Sequence, residues 1–312
     1  MGQIYSSIRP PAPFLTEANL QDQTGKVFVV TGASGGVGKC LASILYQHNA
    51  KVYIAARSEK KSKEAISDIQ ARYPSSNGCL EYLRLDLADL DGVKDAAEEI
   101  LRKETRLDVL WNNAGVMVPP RGSKTIQGYE LQFGVNNMGP FLFTRLLYPL
   151  LKATSDMAPE HSVRIIWVSS SAVDIAPSPA IDLSAMENDH EDSWIRYARS
   201  KSGNILHAVE FARRHDTDAI INLSLNPGNL ITDLQRTLPG WQKYLWKKIA
   251  YEPKFGAYTE LYAGLSTDIS PANNGGWVAP FGRLMQCRQD LLDPELGKRF
   301  WEWSENQISP YL

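Results

Sequence analysis

The chain has 312 residues, enough for one large or two small domains, and its 43% of hydrophobic residues is ordinary for a protein with a buried core. Its formal net charge at pH 7 is −2, so no basic surface for nucleic acid is predicted. No run of about twenty apolar residues occurs, so no membrane-spanning helix is predicted, and the prolines near the start argue against a secretory signal peptide. Three scattered cysteines and five histidines without ligand spacing predict neither a disulfide framework nor a metal, so a reducing, cytoplasmic location is expected.

Residues 1–25 are predicted to form an irregular arm, because Pro10, Pro11 and Pro13 prevent regular structure. The arm begins with MGQIYS, which matches the pattern for N-myristoylation of Gly2. A match this short also arises by chance, and a single acyl chain binds a membrane only marginally. Weak peripheral attachment to a membrane and a purely cytoplasmic protein therefore both stay open.

From residue 26 onward, apolar strand-like runs alternate with helical segments. Strands are predicted over residues 27–30, 51–56, 80–85, 108–111, 163–168, 220–225 and 277–279. Helices are predicted after a glycine-rich turn, over 58–73, from 89, over 129–152 and over 194–214. Such alternation requires right-handed crossovers and a parallel sheet covered on both faces. Because no linker or repeat divides the segment, the sequence predicts a single doubly wound α/β domain over residues 26–312.

The first strand runs into the glycine-rich turn TGASGGVG, residues 31–38, and then into an amphipathic helix. In this context Gly32 permits a tight turn, Gly36 lets the backbone approach a pyrophosphate, and Gly38 lets the helix pack close to the strand. The phosphate would lie on free N–H groups at the positive end of the helix. The turn therefore predicts a dinucleotide site, since a plain surface turn does not require this number and spacing of glycines.

Ligands of doubly wound sheets bind at the carboxyl ends of the strands, and unusual polar residues follow several predicted strands here. These residues are Asp86, Asn113, Ser170 and Asn226-Pro227-Gly228. A later helix carries Tyr197 and Lys201 one turn apart on one face. A phenol is a poor acid at neutral pH, and a nearby lysine cation lowers its pKa toward the working range. Tyr-x-x-x-Lys alone is common on ordinary helices. It indicates a catalytic pair here because the glycine-rich turn, Ser170 and Asn136 occur in the same chain.

Together these motifs resemble the short-chain dehydrogenase/reductase family over roughly residues 26–283. TGASGGVG is similar to its TGxxxGxG turn, NNAG (112–115) to its NNAG and YARSK to its YxxxK, while GVNNMGPF holds its helix asparagine and NPG its post-strand PG. Through AARSEKK and GVNNMGPFLFT the chain is most similar to retinol-dehydrogenase-like and fungal reductases. The resemblance implies a Rossmann fold, a role in secondary metabolism and a homodimer formed through the long helices.

The resemblance also implies the catalytic residues, which are Asn136, Ser170, Tyr197 and Lys201. Tyr197 would protonate the carbonyl oxygen as hydride arrives, and would act as the base in the reverse direction. Lys201 would depress the pKa of Tyr197 and hold the nicotinamide ribose. Ser170 would bind the substrate oxygen, and Asn136 would anchor a water of the proton relay. Ser169 and Ser171 compete with Ser170, which the motif of the family favours.

The expected cofactor is NADP(H). An NAD enzyme of this fold needs Asp or Glu at the end of strand two, whereas this end reads AARS and no acid precedes Glu59. Arg57 suits a 2′-phosphate and Lys61 or Lys39 adds charge, although a solvated cation at a helix start is the alternative. The other predicted cofactor contacts are Gly32, Ser34, Gly36, Val37, Gly38, Asp86, Leu87, Asn113, Ala114, Gly115, Tyr197, Lys201, Pro227, Gly228, Ile231 and Thr232.

Residues 233–255 are predicted to form a lid over the substrate cleft. Within it, Trp241, Tyr244, Leu245 and Ile249 fall at helical spacing, so one face of a short helix would be aromatic and apolar. Sites for small polar substrates need converging polar groups, so this lid predicts a bulky lipophilic ketone, aldehyde or alcohol. The predicted substrate contacts are Ser170, Tyr197, Trp241 and Leu245. Alternatively, the aromatic residues only pack the lid onto the core.

The sequence therefore predicts an NADP(H)-dependent oxidoreductase that interconverts a carbonyl group and a primary or secondary alcohol. Two other classes stay open. One is a cofactor-binding regulatory or scaffold protein on the same fold, which would usually lack the tyrosine or the lysine. The other is a membrane-surface protein whose acyl anchor is its main feature.

Overall fold

The computed structural model describes residues 9–183, 191–237, 240, 244, 248 and 250–312. The strands of this part of the chain are β1 Val27–Thr31, β2 Lys51–Ala56, β3 Cys79–Arg84, β4 Val109–Asn112, β5 Val163–Val168, β6 Ile220–Leu225, β7 Gly276–Ala279 and β8 Arg283–Met285. They form one sheet in the order β3-β2-β1-β4-β5-β6-β7-β8. β1 to β7 pair in parallel, and β8 pairs antiparallel with β7.

Helices cover both faces of the sheet. They are α1 Gly36–Gln47, α2 Glu59–Arg72, α3 Leu90–Lys103, α4 Leu131–Phe133, α5 Gly139–Ser155, α6 Ser193–Arg214, α7 Pro253–Leu265 and α8 Pro294–Ile308. One apolar layer joins the sheet to α3, α5, α6 and α8, and the other joins it to α1, α2 and α7. The predicted doubly wound α/β fold is confirmed. Among the described residues, no helix is long and apolar enough to cross a membrane.

The sheet forms where the sequence has short apolar, β-branched runs. β1 reads VFVVT and β5 reads VRIIWV, and both strands are buried along their whole length. This is the pattern of parallel strands that are covered on both faces. The strand order reverses between β1 and β4, which opens a crevice at the carboxyl ends of these two strands.

The long helix predicted over 129–152 is interrupted by one π-helical turn, Gly134–Met138, between α4 and α5. Pro140 has no N–H to donate to the carbonyl of Asn136, so the regular α-helical ladder cannot run through this point. The N–H of Gly139 bonds instead to the carbonyl of Gly134, five residues earlier. Such turns often lie at functional sites, and this one buries Asn136.

Residues 9–25 contain no helix or strand, yet they are docked on the domain. Leu20 is buried against the layer under α1 and α7. The carboxylate of Glu17 accepts hydrogen bonds from Lys254 Nζ at 2.5 Å and from the hydroxyl of Tyr258 at 2.6 Å. The arm is therefore tied to the first turns of α7.

α8 lies on α5 and α6 and completes the core on that side. Trp301 is 1% exposed, and its ring meets Phe141 and Phe211 edge-on at 4.9 Å and 4.5 Å between centroids. The guanidinium groups of Arg145 and Arg214 lie 5.5 Å and 5.0 Å from the same ring. The helix therefore covers part of the surface of the two long helices.

Candidate active site

The glycine-rich turn joins β1 to α1 at the crevice. Gly36 has φ = 56°, a conformation that suits glycine, and α1 has neither a side-chain cap at Gly35 nor an acid in its first turn. A Cβ on Gly38 would lie 2.6 Å from Asn113 Nδ2, so only glycine permits this approach. The backbone N–H groups at the positive end of α1 can therefore receive an anion.

Thr31 at the end of β1 binds the NNAG segment that follows β4. Its hydroxyl accepts from Ala114 N at 2.9 Å, and its carbonyl accepts from Asn113 Nδ2 at 2.6 Å. Gly115 follows, with its Cα turned toward Lys201 and Asn136, because a Cβ there would lie 3.3 Å from Lys201 Nζ and 3.1 Å from Asn136 Oδ1. Three predicted motifs thus meet at one edge of the sheet.

Tyr197 and Lys201 lie on α6, 4% and 3% exposed. Burial raises the pKa of Tyr197 to about 12, and a hydrogen bond with Ser170 opposes this rise. Burial lowers the pKa of Lys201 to about 8, and the charge of Glu260 opposes this fall. Lys201 Nζ donates to the carbonyl of Val168 at 2.8 Å and lies 6.0 Å from the ring centroid of Tyr197.

These values correct one expectation. Lys201 was expected to bring the pKa of Tyr197 toward neutrality, but in this structure burial dominates and the phenol stays protonated at neutral pH. A protonated phenol in contact with a serine hydroxyl can still give its proton to an oxygen that gains negative charge.

The three serines after β5 have different surroundings. Ser169 is buried, and its hydroxyl donates to the carbonyl of Lys201 at 2.7 Å. Ser170 caps the short 3₁₀ turn Ser171–Ile175, and its hydroxyl accepts from Ala172 N at 3.1 Å. Since Ser170 is also the serine that hydrogen-bonds Tyr197, it is the best placed of the three to hold a substrate oxygen.

Asn136 does not line the cavity; its side-chain amide binds the backbone of Val116 and the hydroxyl of Ser200. Its Oδ1 accepts from Val116 N at 2.8 Å, and its Nδ2 donates to the carbonyl of Val116 at 3.0 Å and to Ser200 Oγ at 2.9 Å. In this geometry Asn136 fixes the chain after NNAG against α6. Its expected role of anchoring a water stays a prediction.

A cavity of about 990 Å³ runs from the glycine-rich turn to Tyr197. It brings together most of the predicted cofactor and catalytic residues: Gly32, Ser34, Gly36, Val37, Arg57, Lys61, Asp86, Leu87, Asn113, Ala114, Gly115, Ser170, Tyr197, Lys201, Pro227, Gly228 and Thr232. It contains both the cations Arg57 and Lys61 and the group Tyr197, Ser170 and Lys201, a lining whose residues suit an extended dinucleotide.

Some predicted residues lie elsewhere. Ile231 is 39% exposed and does not line the cavity; its N–H bonds to the carbonyl of Tyr251. Lys39 pairs with Asp68 at 2.7 Å instead of adding charge beside Arg57. Gly38 does not line the cavity either, and packs against Asn113 and Ala33. Trp241 and Leu245 lie outside the described residues.

The wall around Tyr197 contains apolar residues that sequence reasoning missed. Met117 and Tyr197 pack together with Val118, Ala172, Trp194 and Leu234. The ring of Trp194 stands edge-on to that of Tyr197, 6.4 Å away. The spacing of three residues between Trp194 and Tyr197 was a usable signal, since it places both on one face of a helix.

Glu260 is the second residue that was missed. It is fully buried in α7, and within the described part of the chain neither carboxyl oxygen has a hydrogen-bond partner. Burial raises its pKa to about 8, against the effect of the charge of Lys201. The sequence signal was an acid in the otherwise uncharged run 255–267.

Comparisons with known proteins identify the family of the chain. The sequence model of the family described as short chain dehydrogenase matches residues 26–243. The short-chain dehydrogenase/reductase pkfC of Emericella nidulans is 50% identical over 309 residues, which cover 97% of this chain and 98% of the relative. A short-chain dehydrogenase/reductase of Phomopsis amygdali is 45% identical over 323 residues, which cover 99% of this chain and 97% of the relative.

Solved structures share the fold. An uncharacterised protein of Mycobacterium paratuberculosis superposes with a TM-score of 0.71 at 27% identity, over 94% of this chain and 96% of that one. An NADPH-bound carbonyl reductase from chicken fatty liver superposes with a TM-score of 0.62 at 20% identity, over 86% of this chain and 100% of that one. With its Tyr197, Lys201 and Ser170 gathered at one end of the cavity, the chain belongs to the short-chain dehydrogenase/reductase family and is an oxidoreductase.

Proposed function

We propose that this protein is an NADP(H)-dependent enzyme that interconverts a bulky lipophilic carbonyl compound and its alcohol. One observation carries the proposal: a single cavity connects Arg57 and Lys61 at one end with Ser170, Tyr197 and an apolar wall at the other. The first end suits a phosphate and the second suits a carbonyl group attached to an apolar body. A purely cofactor-sensing role gains no support, because the Tyr–Ser–Lys group is complete.

The preference for NADP(H) rests on the end of β2. Arg57 is exposed, follows β2 directly and lines the cavity together with Ser58 and Lys61. Its guanidinium can bind a phosphate through two parallel hydrogen bonds. The first acid after β2, Glu59, pairs with Lys63 at 2.6 Å. The carbonyl reductase of chicken fatty liver is described as NADPH-bound, while a ketoacyl reductase of Brucella melitensis is described as complexed with NADH. Proteins with this fold therefore differ in their cofactor, and Arg57 is the residue of this chain that favours NADP(H).

When bound, the nicotinamide supplies or accepts the hydride. Tyr197, protonated at neutral pH, donates its proton to the carbonyl oxygen, and Ser170 hydrogen-bonds the same oxygen. The phenolate left on Tyr197 is stabilised by the cation of Lys201, which carries its proton below about pH 8. In the oxidative direction Tyr197 must first lose its proton, and the phenolate then takes the proton of the alcohol.

The substrate class rests on the wall around Tyr197. Met117 and Trp194 pack beside the phenol, and Pro119, Ile175 and Leu234 line the same end of the cavity. Apolar surface of this kind favours a lipophilic substrate, oriented by the few polar groups at Ser170 and Tyr197. The lid predicted over 233–255 and a role in secondary metabolism stay predictions.

The test compares kcat/KM for NADPH and NADH, and for carbonyl compounds of rising size. We expect a clear preference for NADPH that Arg57→Ala reduces by about tenfold or more, because a charged contact to the phosphate is lost. Lys39→Ala is the matched control, since it removes a nearby cation that is paired with Asp68 outside the cavity. Equal use of both cofactors, or a preference for small polar carbonyls, would contradict the proposal.

A further inference from the structure

Gln132 of α4 connects two segments that flank Tyr197. Its side chain is fully buried. Oε1 accepts from Val118 N at 2.9 Å, and Nε2 donates to the carbonyl of Ser193 at 3.1 Å and to Glu130 Oε1 at 3.4 Å. The first bond holds the loop that follows NNAG, and the second holds the first residue of α6. One amide thus spans the loop and the helix.

The loop that Gln132 holds is strained. Val118 has φ = 46°, in the left-handed region, which a β-branched residue rarely adopts. A conformation of this kind persists only where surrounding contacts impose it, and the bond from Val118 N to Gln132 is such a contact. Val118 follows Met117, so its conformation determines where the Met117 side chain lies beside Tyr197.

The helix side of the site is independently fixed. The N-cap Asp192 accepts from Trp194 N at 2.8 Å and from Ile195 N at 3.4 Å, and this holds the first turn of α6. Asn136 holds the start of the loop, at Val116, against Ser200 of α6. Beyond Val116, the bonds that Gln132 makes to Val118 and Ser193 bridge the loop to the first residue of α6.

We propose that Gln132 is a positioning residue that sets the width of the substrate end of the cavity, by holding Met117 and Val118 at a fixed distance from Trp194. This proposal rests on the proposed function, since it names Gln132 as a residue that determines which substrates fit the same site. Gln132 is not among the residues that line the cavity, whereas Tyr197 and Gly36 are. Loss of its bonds should therefore change the fit of the substrate and leave the chemical groups in place.

The decisive variant is Gln132→Met, which keeps the side-chain length but removes all three hydrogen bonds of the amide. For a bulky carbonyl compound we expect KM to rise about tenfold or more, while kcat changes less than about twofold. For a small carbonyl compound both constants should stay near those of the wild type, and so should the Kd of NADPH. Gln132→Glu keeps an acceptor for Val118 N and, while protonated, a donor for the carbonyl of Ser193, so it should restore part of the lost discrimination at low pH and lose it where the carboxylate forms.

Thr154→Val is the matched control. The buried Thr154 hydroxyl accepts from Leu107 N at 2.8 Å. Leu107 lies before the amino end of β4, whereas the cavity lies at the carboxyl ends of the strands. Removal of the hydroxyl therefore also leaves a buried backbone N–H without its acceptor. This variant should lose stability and keep the preference for substrate size. If Gln132→Met and Thr154→Val change bulky and small substrates alike, Gln132 is only structural and the proposal is overturned.

Hydrogen exchange over residues 116–120 provides a second measurement that does not depend on turnover. We expect faster exchange there in Gln132→Met than in the wild type or in Thr154→Val. Unchanged exchange would overturn the role of Gln132 even if the enzyme is active. If Gln132→Met exchanges faster but the wild type itself reduces no carbonyl compound, the role of Gln132 in holding the loop is supported and the proposed function is refuted.

Discussion

Glu260→Gln should remove a pH dependence of folding stability that the buried carboxyl group imposes. The pKa of Glu260 is raised from 4.5 to about 8, because burial penalises the carboxylate more than the charge of Lys201 favours it. Between these pH values the folded chain holds a proton that the unfolded chain has released. The free energy of unfolding therefore falls as pH rises through this window, and the loss is complete above about pH 8.

Each pH unit in the window changes the free energy of unfolding by about 1.4 kcal/mol. From about pH 5 to about pH 7.5 the wild type should thus lose about 3 kcal/mol relative to Glu260→Gln. The assay is urea denaturation of both proteins across this range. Only the difference between the two curves matters, because groups such as His207, whose pKa burial lowers to about 3, add the same pH dependence to both.

Glu98→Gln on the exposed face of α3 is the control, because it removes a carboxyl group that is not buried. Parallel stability curves for the wild type and Glu260→Gln would refute the reasoning. They would mean that the carboxylate of Glu260 is ionised in the folded chain and finds a partner there, for example a buried water.

Three further predictions concern the catalytic group and α8. Tyr197→Phe should abolish turnover and leave the Kd of NADPH unchanged in a fluorescence titration; a kcat reduced less than about a hundredfold would mean that another acid acts. In the reductive direction kcat/KM should fall as pH rises through about 8, because Lys201 then loses the proton whose charge stabilises the phenolate of Tyr197. A profile of kcat/KM that stays flat above that pH would contradict this role of Lys201. Trp301→Ala should lower the free energy of unfolding by about 3–5 kcal/mol in denaturant titrations, since it leaves a cavity at a fully buried position. Trp303 is only half-buried, so Trp303→Ala should lower the free energy of unfolding clearly less. A similar cost for both would refute the packing role of α8.

The seven parallel strands could be predicted from the sequence to within one or two residues, whereas the short antiparallel strand β8 was not predicted. Parallel strands buried on both faces must be short apolar runs, and few other elements look like that. α7 could not be predicted in the same way, because its residues are buried on nearly all sides and show no apolar face. The π-helical turn was missed because one extra residue hardly disturbs the apolar period, although Pro140 was a signal.

The site was predictable where its residues follow strands, because the fold brings those ends together. Contacts between distant segments left no pattern, as with Gln132 and Ser193, which are 61 positions apart. The pKa of Tyr197 depends on burial, which spacing along a helix does not reveal. The homodimer expected through the long helices stays a prediction; α8 covers part of that surface, so sedimentation of the wild type is the direct measurement.

The docked arm has a consequence for the order in which the protein folds. Glu17 meets Lys254 and Tyr258 across 237 and 241 positions of the chain. Closing so long a loop costs entropy that is recovered only after the sheet has brought α7 beside α1. The arm should therefore close last and open first, as a small cooperative unit of its own. Amides near Leu20 would then exchange through this local opening, at a lower free energy than those of β1.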